Sequence, residues 1–428
     1  MNINTLSISL SVLIISSCAS VETQNYQEVK LAPTKIDYDL IFEKYLEDDW
    51  EKTLSENPLF ATYTGDKRLN NKINSNSIEQ FIADKRSSEE SLRLLREIDS
   101  SKLSEENQLN YKLKEFGLLN SIGTQNFPTY YLRLNQRGGI QSFYETGNRL
   151  VYTNKQDYYD WLERLNQFVN NINNFLEINK EGLETGHTQP KLVTRGVISQ
   201  IESITSSDIE SNPYLKVFLE ADENILTTSE KADLISDAKK LIENKINPAY
   251  VKLNNFLKNE YLPNSRNSIG IKDIPNGKDY YEFLAKFYTT TNLTPEEIHE
   301  IGLKEIKRIR SEMDEIIQKV NWDGDFNSFL NYLRTSPRFY YDNSEDLFNA
   351  YLIMSKTIDP LLPKIFKTFP RAPYGVIAIP DETAPFTTTA YYNSPSPGRP
   401  GYFYANLYKP ESRPKYEIPV LTVHEAVP

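Results

Sequence analysis

The stretch that decides the fold is residues 294–321, TPEEIHEIGLKEIKRIRSEMDEIIQKVN. Thr294 is suited to the N-cap, Pro295 to the first helical position, and Glu297 completes a capping box three residues after the cap. Apolar residues then recur at three- and four-residue spacing: Ile298, Ile301, Ile306, Ile309, Met313, Ile316 and Val320. The pattern predicts a long amphipathic helix that ends at the turn Trp322-Asp323-Gly324-Asp325.

Helical patterns also dominate the sequence on either side of this stretch. They begin at Ile36, and the longest amphipathic run covers residues 157–183. A further run covers residues 228–258, in which Pro248 predicts a break or a kink. We therefore predict one helical domain over residues 37–428.

Prolines interrupt the helical pattern between residues 370 and 400, after a predicted helix at 344–369. Three short runs rich in β-branched and aromatic residues, 374–379, 386–392 and 401–407, predict a small sheet with exposed edges. Residues 416–427 then return to a helix-compatible apolar pattern. The predicted fold class is mainly α: a large helical domain with a small β-sheet just before the C-terminal helix.

The amino-acid composition argues against some classes of binding partner. Of the 428 residues 39% are hydrophobic and 25% charged, which is ordinary for a globular protein. The net charge of −11 argues against binding nucleic acid, or an anionic membrane, through a basic face. The 28 tyrosines could line a peptide- or sugar-binding groove, although core and boundary packing explains them more simply.

The N-terminus has the pattern of an export signal. Residues 3–17 carry no charged side chain, and the apolar run 6–17 is too short to span a membrane but suits a signal peptide. The run ends in Ile15-Ser16-Ser17-Cys18, which resembles a bacterial lipobox with Cys18 as the lipidated residue. We expect a signal peptide at 1–17, a lipidated tether at 18–36 and, because Ala19 follows the cysteine, an outer-membrane location. The alternative is an ordinary secretory signal with an incidental cysteine.

Only three histidines are available for chemistry. His187 lies at a predicted helix C-terminus, where the helix dipole is a sufficient reason for it. His299 and His424 are each followed by Glu, as in the zinc motif H-E-x-x-H, but Leu303 and Pro428 occupy the position of the second histidine. Spacing alone identifies neither pair as a metal site.

Context separates the two His-Glu pairs. His424 follows the apolar run Pro419-Val420-Leu421-Thr422-Val423 and comes directly after the predicted sheet. Zinc peptidases use this order, with substrate backbone paired to an exposed strand beside the metal. We expect residues 401–406 to form that edge strand, with Tyr402, Tyr404 and Asn406 as substrate contacts. The alternative is that these segments are plain core and loop.

Residues 416–428, YEIPVLTVHEAVP, resemble the active-site approach of the bacterial domain-of-unknown-function family 885 (DUF885), whose members are peptidase-like and often exported as lipoproteins. Other landmarks of that family are similar and come in the same order. They are Pro58-Leu59-Phe60-Ala61-Thr62 before Gly65-Asp66, residues 262–281, residues 289–303, and Gly398-Arg399-Pro400-Gly401-Tyr402-Phe403-Tyr404 with Asn406. The resemblance extends over residues 36–428.

The resemblance implies a metallopeptidase-like helical fold and a zinc site in which His424 is a ligand and Glu425 the general base. In the family the His-Glu-x-x-Pro run continues into Gly-His, whereas this chain ends at Pro428. A catalytic zinc needs about three protein ligands. We therefore expect the chain to be an incomplete fragment that is inactive alone. The alternative is a truncated relative of the family.

Two functions follow from these observations. The first is a zinc-dependent, peptidase-like hydrolase of the cell envelope, attached to the membrane only through its lipid anchor. The second is a non-catalytic helical lipoprotein that binds peptide or another envelope component. A minor third possibility makes His299-Glu300 part of the site.

Overall fold

The computed structural model describes residues 36–379, 384–395 and 400–427. These residues are mainly helical, with a three-stranded sheet near the C-terminus, so the predicted fold class is confirmed. The predicted signal peptide, Cys18 and all of the predicted tether except Ile36 lie outside the described residues.

The first five α-helices include the three that enclose a small hydrophobic core. Their bounds are α1 Tyr38–Glu56, α2 Pro58–Tyr63, α3 Ile78–Leu95, α4 Glu105–Gln125 and α5 Tyr144–Arg149. The core lies between α1, α3 and α4, where Phe42, Leu95 and Tyr111 are buried. Each of these three helices begins at a side-chain cap, supplied by Asp, Ser and Ser respectively.

The largest core is built on the next six helices. Their bounds are α6 Lys155–Glu184, α7 Lys191–Ser206, α8 Lys216–Leu219, α9 Thr228–Leu241, α10 Asn247–Phe256 and α11 Leu262–Asn264. Trp161 and Phe168 on α6 and Tyr250 on α10 are almost fully buried in it. The predicted amphipathic run at 157–183 is confirmed as part of α6, the longest helix in the described part of the chain.

The helical path from α9 to α11 continues through two π-helical turns, Ile242–Ile246 and Leu257–Tyr261. A proline follows each turn, Pro248 after the first and Pro263 after the second. The wider turn shifts the hydrogen-bond pattern, so the missing proline N–H leaves the helix continuous. Pro248 was predicted to break or kink the helix, and the π turn is how the structure accommodates it.

Four helices lead towards the sheet, and one follows it. Their bounds are α12 Gly277–Thr289, α13 Pro295–Lys319, α14 Phe326–Thr335, α15 Ser344–Ile358 and α16 Ile418–Ala426. The predicted helix at 344–369 was too long. The α-helix ends at Ile358 and a 3₁₀ segment, Asp359–Lys364, replaces its continuation, because Pro360 and Pro363 cannot donate α-helical hydrogen bonds.

Helix α13 has the predicted start and an unexpected environment. Glu297 N donates to Thr294 Oγ1 at 3.2 Å and Thr294 N donates to Glu297 Oε2 at 2.8 Å, which confirms the capping box. Its apolar stripe, however, faces solvent: the exposed fraction is 67% for Ile306. Of the residues in this helix only Ile317 is buried. The amphipathic pattern predicted the helix correctly, but in the described part of the chain most of its apolar face is uncovered, and the exception is the end at Ile317.

The sheet contains β1 Tyr374–Ala378, β2 Ala390–Asn393 and β3 Gly401–Ala405. Its order is β1-β3-β2, with β1 parallel and β2 antiparallel to β3. The prediction that residues 401–406 form an exposed edge strand is therefore wrong. β3 is the central strand because it pairs on both sides, and the edges are β1 and β2.

One face of the sheet packs against α15 and α16. Phe403 of β3 lies edge-on to Tyr351 of α15, with 5.5 Å between ring centroids. Ala390, Ala405 and Ala426 complete the buried contact. This third core fixes α16 against the sheet, and with it the position of the predicted active-site pair.

Candidate functional site

Helix α16 carries His424 and Glu425 in its last turn. Ile418, Thr422 and Ala426 recur at four-residue spacing and are its buried side chains. The Thr422 hydroxyl donates to the Ile418 carbonyl at 2.7 Å, which satisfies this polar group within the helix. Since the buried residues fix the orientation of the helix, His424 points outward and is exposed, while Glu425 is half-buried.

His424 and Glu425 border a cleft of about 560 Å³. Helix α15, the 3₁₀ segment after it, the start of β1 and the end of β2 form its other walls. Its side chains are mostly apolar or aromatic: Leu362, Phe369, Pro370, Ala372, Pro373, Tyr374, Tyr392, Pro395, Ala426 and Val427. Lys356, Asp359 and Ser394 add polar groups. A mostly apolar cleft with a few polar groups is typical of a ligand site.

Asp359 is held in the cleft wall by two donors. The Tyr374 hydroxyl donates to Asp359 Oδ1 at 3.0 Å, and Lys356 Nζ donates to Asp359 Oδ2 at 2.8 Å. Burial raises the pKa of Tyr374 to about 12, and its hydrogen bond to the Asp359 carboxylate acts in the same direction. The Tyr374 hydroxyl is therefore protonated at neutral pH, and its proton is already used in the hydrogen bond to Asp359.

The ring of Tyr392 packs against Gly401, the first residue of β3. A Cβ atom added to Gly401 would lie 1.7 Å from Tyr392 Oη and 2.5 Å from its Cζ. Only glycine at position 401 therefore permits this placement of the phenol. The ring, 38% exposed, is part of the cleft wall shared with His424 and Glu425.

The structure does not bring Tyr402 and Tyr404 into this cleft. Successive side chains of a strand point to opposite faces of the sheet, and Phe403 faces α15. Tyr402 and Tyr404 thus lie on the other face, where Tyr404 stacks on Tyr391 at 4.6 Å between centroids. A substrate contact for these two tyrosines remains a prediction, and one separate from the cleft at His424.

The side chain of Asn406 is buried and hydrogen-bonded to backbone groups. It is fully buried, and its side-chain amide donates to the carbonyls of Ala384 at 2.8 Å and Thr388 at 3.0 Å. Its side-chain oxygen accepts from the backbone N–H of Tyr408 at 3.0 Å. Asn406 therefore holds the 384–389 loop against the end of β3, and the predicted substrate contact of its side chain stays a prediction.

The other two histidines lie outside the cleft lining. His299 is exposed on α13. His187 is buried, with Nδ1 3.0 Å from the Thr185 hydroxyl and its ring 5.3 Å from that of Tyr131. Burial lowers the pKa of His187. The environment of His187 is therefore structural, and the suggested participation of His299-Glu300 stays a prediction.

The described residues provide only part of a zinc site. His424 and Glu425 are consecutive on one helix, so their side chains diverge by about 100° and do not converge on one metal. In the described parts of the chain no group of three or more His, Cys, Asp or Glu side chains is arranged to hold a metal ion. These residues alone therefore do not fit a catalytic zinc.

Sequence reasoning missed three residues of the cleft wall: Asp359, Tyr374 and Tyr392. Two weak signals were available, since Tyr374 directly follows Pro373 at the start of a predicted strand and Tyr392 ends another. Asp359 carried no signal, because residues 344–369 were interpreted as one helix.

The fold and cleft define a mainly helical protein with a small mixed sheet ahead of its last helix, and two solved structures share this architecture. One, from Colwellia psychrerythraea, has a TM-score of 0.78 and 22% identity, with 92% of this chain and 71% of that chain covered. The other, from Shewanella oneidensis and of unknown function, has a TM-score of 0.64 and 15% identity, with 92% and 70% covered. Both are described as a "putative lipoprotein".

Residues 58–428 match the bacterial proteins of unknown function grouped as DUF885, and the chain belongs to that family. The family resemblance is thereby confirmed over almost the whole predicted domain. No curated protein matches the chain in sequence. In the described ranges no helix is both long and apolar enough to cross a membrane.

Proposed function

We propose that this protein is a peptide hydrolase of the cell envelope that uses zinc, with His424 as one metal ligand and Glu425 as general base. The observation that carries the proposal is the position of this pair on the wall of the mostly apolar cleft described above. The proposed zinc would polarise the substrate and activate water, and it needs about two further protein ligands that the described residues do not supply.

The shape and lining of the cleft support a peptide as substrate. A volume of about 560 Å³ is within the ordinary range for ligand pockets, and the proline and aromatic walls suit apolar side chains. β1 is an edge strand that starts at the cleft, with no partner strand on its outer side among the described residues. Substrate backbone could pair with that edge. This is the role that the sequence had suggested for residues 401–406.

The chain's own residues define the proton path of the proposed reaction. The Glu425 carboxylate accepts a proton from water as the water oxygen bonds to the peptide carbonyl carbon and the C=O electron pair moves to oxygen. Glu425 then returns that proton to the amide nitrogen as the C–N bond breaks. The products are a carboxylic acid and an amine.

A non-catalytic peptide-binding lipoprotein is the second candidate. The apolar lining of the cleft favours it, as does the small number of metal ligands among the residues that the structure describes. Under this proposal the same cleft binds apolar peptide segments, and His424 and Glu425 supply polar contacts at its rim.

Zinc content and hydrolysis separate the two candidates. The protein is expressed from its full reading frame, and zinc is measured by mass spectrometry alongside cleavage of a fluorogenic peptide library. Stoichiometric zinc with hydrolysis that falls by about 10² or more in Glu425→Gln supports the enzyme. Glu417→Gln, at an exposed residue just before α16, is the matched control and should retain activity. A metal-free protein that binds peptides without cleaving them overturns the hydrolase and supports the binding protein.

We also propose that Cys18 carries the lipid anchor and that the protein resides at the outer membrane. The description of both structural relatives supports the anchor. Labelling with radioactive palmitate should mark the wild type and not Cys18→Ser, and membrane fractionation on a density gradient should place the labelled protein with outer-membrane markers. Label retained by Cys18→Ser, or inner-membrane fractionation, contradicts the corresponding part of the proposal.

A further inference from the structure

The cleft contains two tyrosine hydroxyls in different situations. That of Tyr374 is committed to Asp359 at 3.0 Å, in a wall of the cleft that also includes Lys356. Tyr392 makes no hydrogen bond through its hydroxyl to any residue in the described ranges. A phenol that is held in place but still has its proton to donate is a group available to a ligand.

Gly401 holds the Tyr392 phenol at the cleft. The ring lies across the start of β3, where a Cβ on residue 401 would be 1.7 Å from Oη. Tyr392 pairs with Phe403 in the β2–β3 ladder, so its backbone is fixed by the central strand on which its own ring rests. Because the strand and Gly401 already hold the Tyr392 ring, its side chain loses little further conformational entropy when a ligand binds.

We propose that Tyr392 is a catalytic residue whose hydroxyl donates a hydrogen bond to the substrate oxygen that becomes negative as water adds to the peptide carbonyl. This inference rests on the proposed hydrolase function. As the new C–O bond forms, the carbonyl electron pair moves to oxygen and the Tyr392 O–H strengthens its hydrogen bond to it. When the C–N bond breaks the pair returns to re-form C=O, and the phenol keeps its proton throughout. A donor that is positioned before the reaction stabilises the transition state more than the ground state.

Tyr392→Phe removes this donor and keeps the ring. In the protein expressed from the full reading frame, we expect kcat for peptide hydrolysis to fall by about 10²–10³, with KM within about threefold of the wild type. Tyr391→Phe is the matched control: it removes the neighbouring hydroxyl on the opposite face, where the ring stacks on Tyr404. It should leave kcat unchanged. Gly401→Ala displaces the Tyr392 phenol and should lower kcat in the same way.

A binding measurement gives a second readout. A phosphinic peptide presents a tetrahedral, negatively charged centre, and we expect Tyr392→Phe to weaken its binding in calorimetry by about 10²-fold. Binding of the uncleaved parent peptide is measured in Glu425→Gln, and adding Tyr392→Phe to that variant should leave the affinity unchanged. If the wild type hydrolyses peptides, Glu425→Gln is inactive and Tyr392→Phe keeps full kcat and full phosphinate affinity, the assignment of Tyr392 is wrong and the proposed function stands. If the wild type does not hydrolyse peptides, the proposed function fails, and the role of Tyr392 fails with it.

Discussion

Arg164 of α6 donates a 2.6 Å hydrogen bond from Nη2 to the hydroxyl of Thr62 in α2. Its Nε donates to the Lys72 carbonyl at 2.9 Å, and Arg164 is fully buried. The 58–72 segment, which contains the first landmark of the family resemblance, is thus folded around a buried guanidinium. Two residues of that landmark, Pro58 through its carbonyl and Thr62 through its hydroxyl, accept hydrogen bonds from Arg164.

Removing this guanidinium should destabilise the protein strongly. Arg164→Met keeps much of the side-chain volume but leaves the Thr62 hydroxyl and the buried carbonyls without their donor, and we expect a loss of about 3–5 kcal/mol in the free energy of unfolding. Urea unfolding followed by circular dichroism measures it. The same change at the exposed Arg195 is the control and should cost under about 0.5 kcal/mol. Equal losses at both positions would contradict the assigned role.

Replacing the buried amide of Asn406 with the isosteric carboxyl group of Asp should destabilise the protein. Asn406→Asp replaces the donor that faces the carbonyls of Ala384 and Thr388 with an acceptor, so we expect it to cost more stability than Asn406→Ala, itself about 1–3 kcal/mol. Thermal unfolding of the two variants gives the order. Asn331→Asp, on the exposed surface of α14, should be nearly neutral. An Asp variant as stable as the wild type would show that the loop does not depend on this amide.

Stability should depend on the protonation of His187. Burial lowers its folded-state pKa below 6.5, so the unfolded chain binds the proton more tightly than the folded protein. The stabilisation is therefore fully present above about pH 6.5 and is lost as pH falls through 6.5 towards the folded pKa, by about 1.4 kcal/mol for each unit by which that pKa is lowered.

Urea midpoints between about pH 7.5 and pH 5 test this dependence. His187→Gln should show a shallower loss of stability on acidification than the wild type. His299→Gln, the same change at the exposed histidine of α13, should retain the wild-type slope. Identical slopes in all three proteins would exclude His187 as the titrating group.

Two isoleucines on the same face of α13, three turns apart, should respond differently to the same substitution. Ile317 is 7% exposed and Ile306 is 67% exposed. Ile317→Ala should cost about 2–4 kcal/mol, because it removes buried methyl groups and leaves a cavity. Ile306→Ala should change the free energy of unfolding by less than about 0.5 kcal/mol. Chemical denaturation of the two variants measures this difference, and a large cost at Ile306 would mean that the stripe is covered in solution.

Local signals in the sequence predicted most of the fold. The capping box at Thr294 and the periodicity around 157–183 depend on residues one or two turns apart, and both are confirmed. The order of the strands could not be predicted in this way. Whether β3 is central or at an edge depends on which strands pair across intervening loops, and alternation of residues within a strand carries no information about this.

The candidate site was predicted only in part for the same reason. His424 and Glu425 belong to a local motif, and the structure places both on the cleft. The cleft wall opposite them comes from the ends of α15, β1 and β2, and the approach of these segments is decided by tertiary packing. Tyr392 illustrates the limit, since its position depends on the missing side chain of Gly401, nine residues later in the sequence.

The central position of β3 makes it a rigid connection between two ends of the sheet. Its first residue, Gly401, supports Tyr392 at the cleft, and Asn406 after its last residue holds the 384–389 loop, roughly 16 Å away at about 3.3 Å per residue. β3 cannot slide without breaking hydrogen bonds to both neighbours. A strain introduced at Asn406 is therefore transmitted along the strand, and residues remote from the cleft can change its shape without lining it.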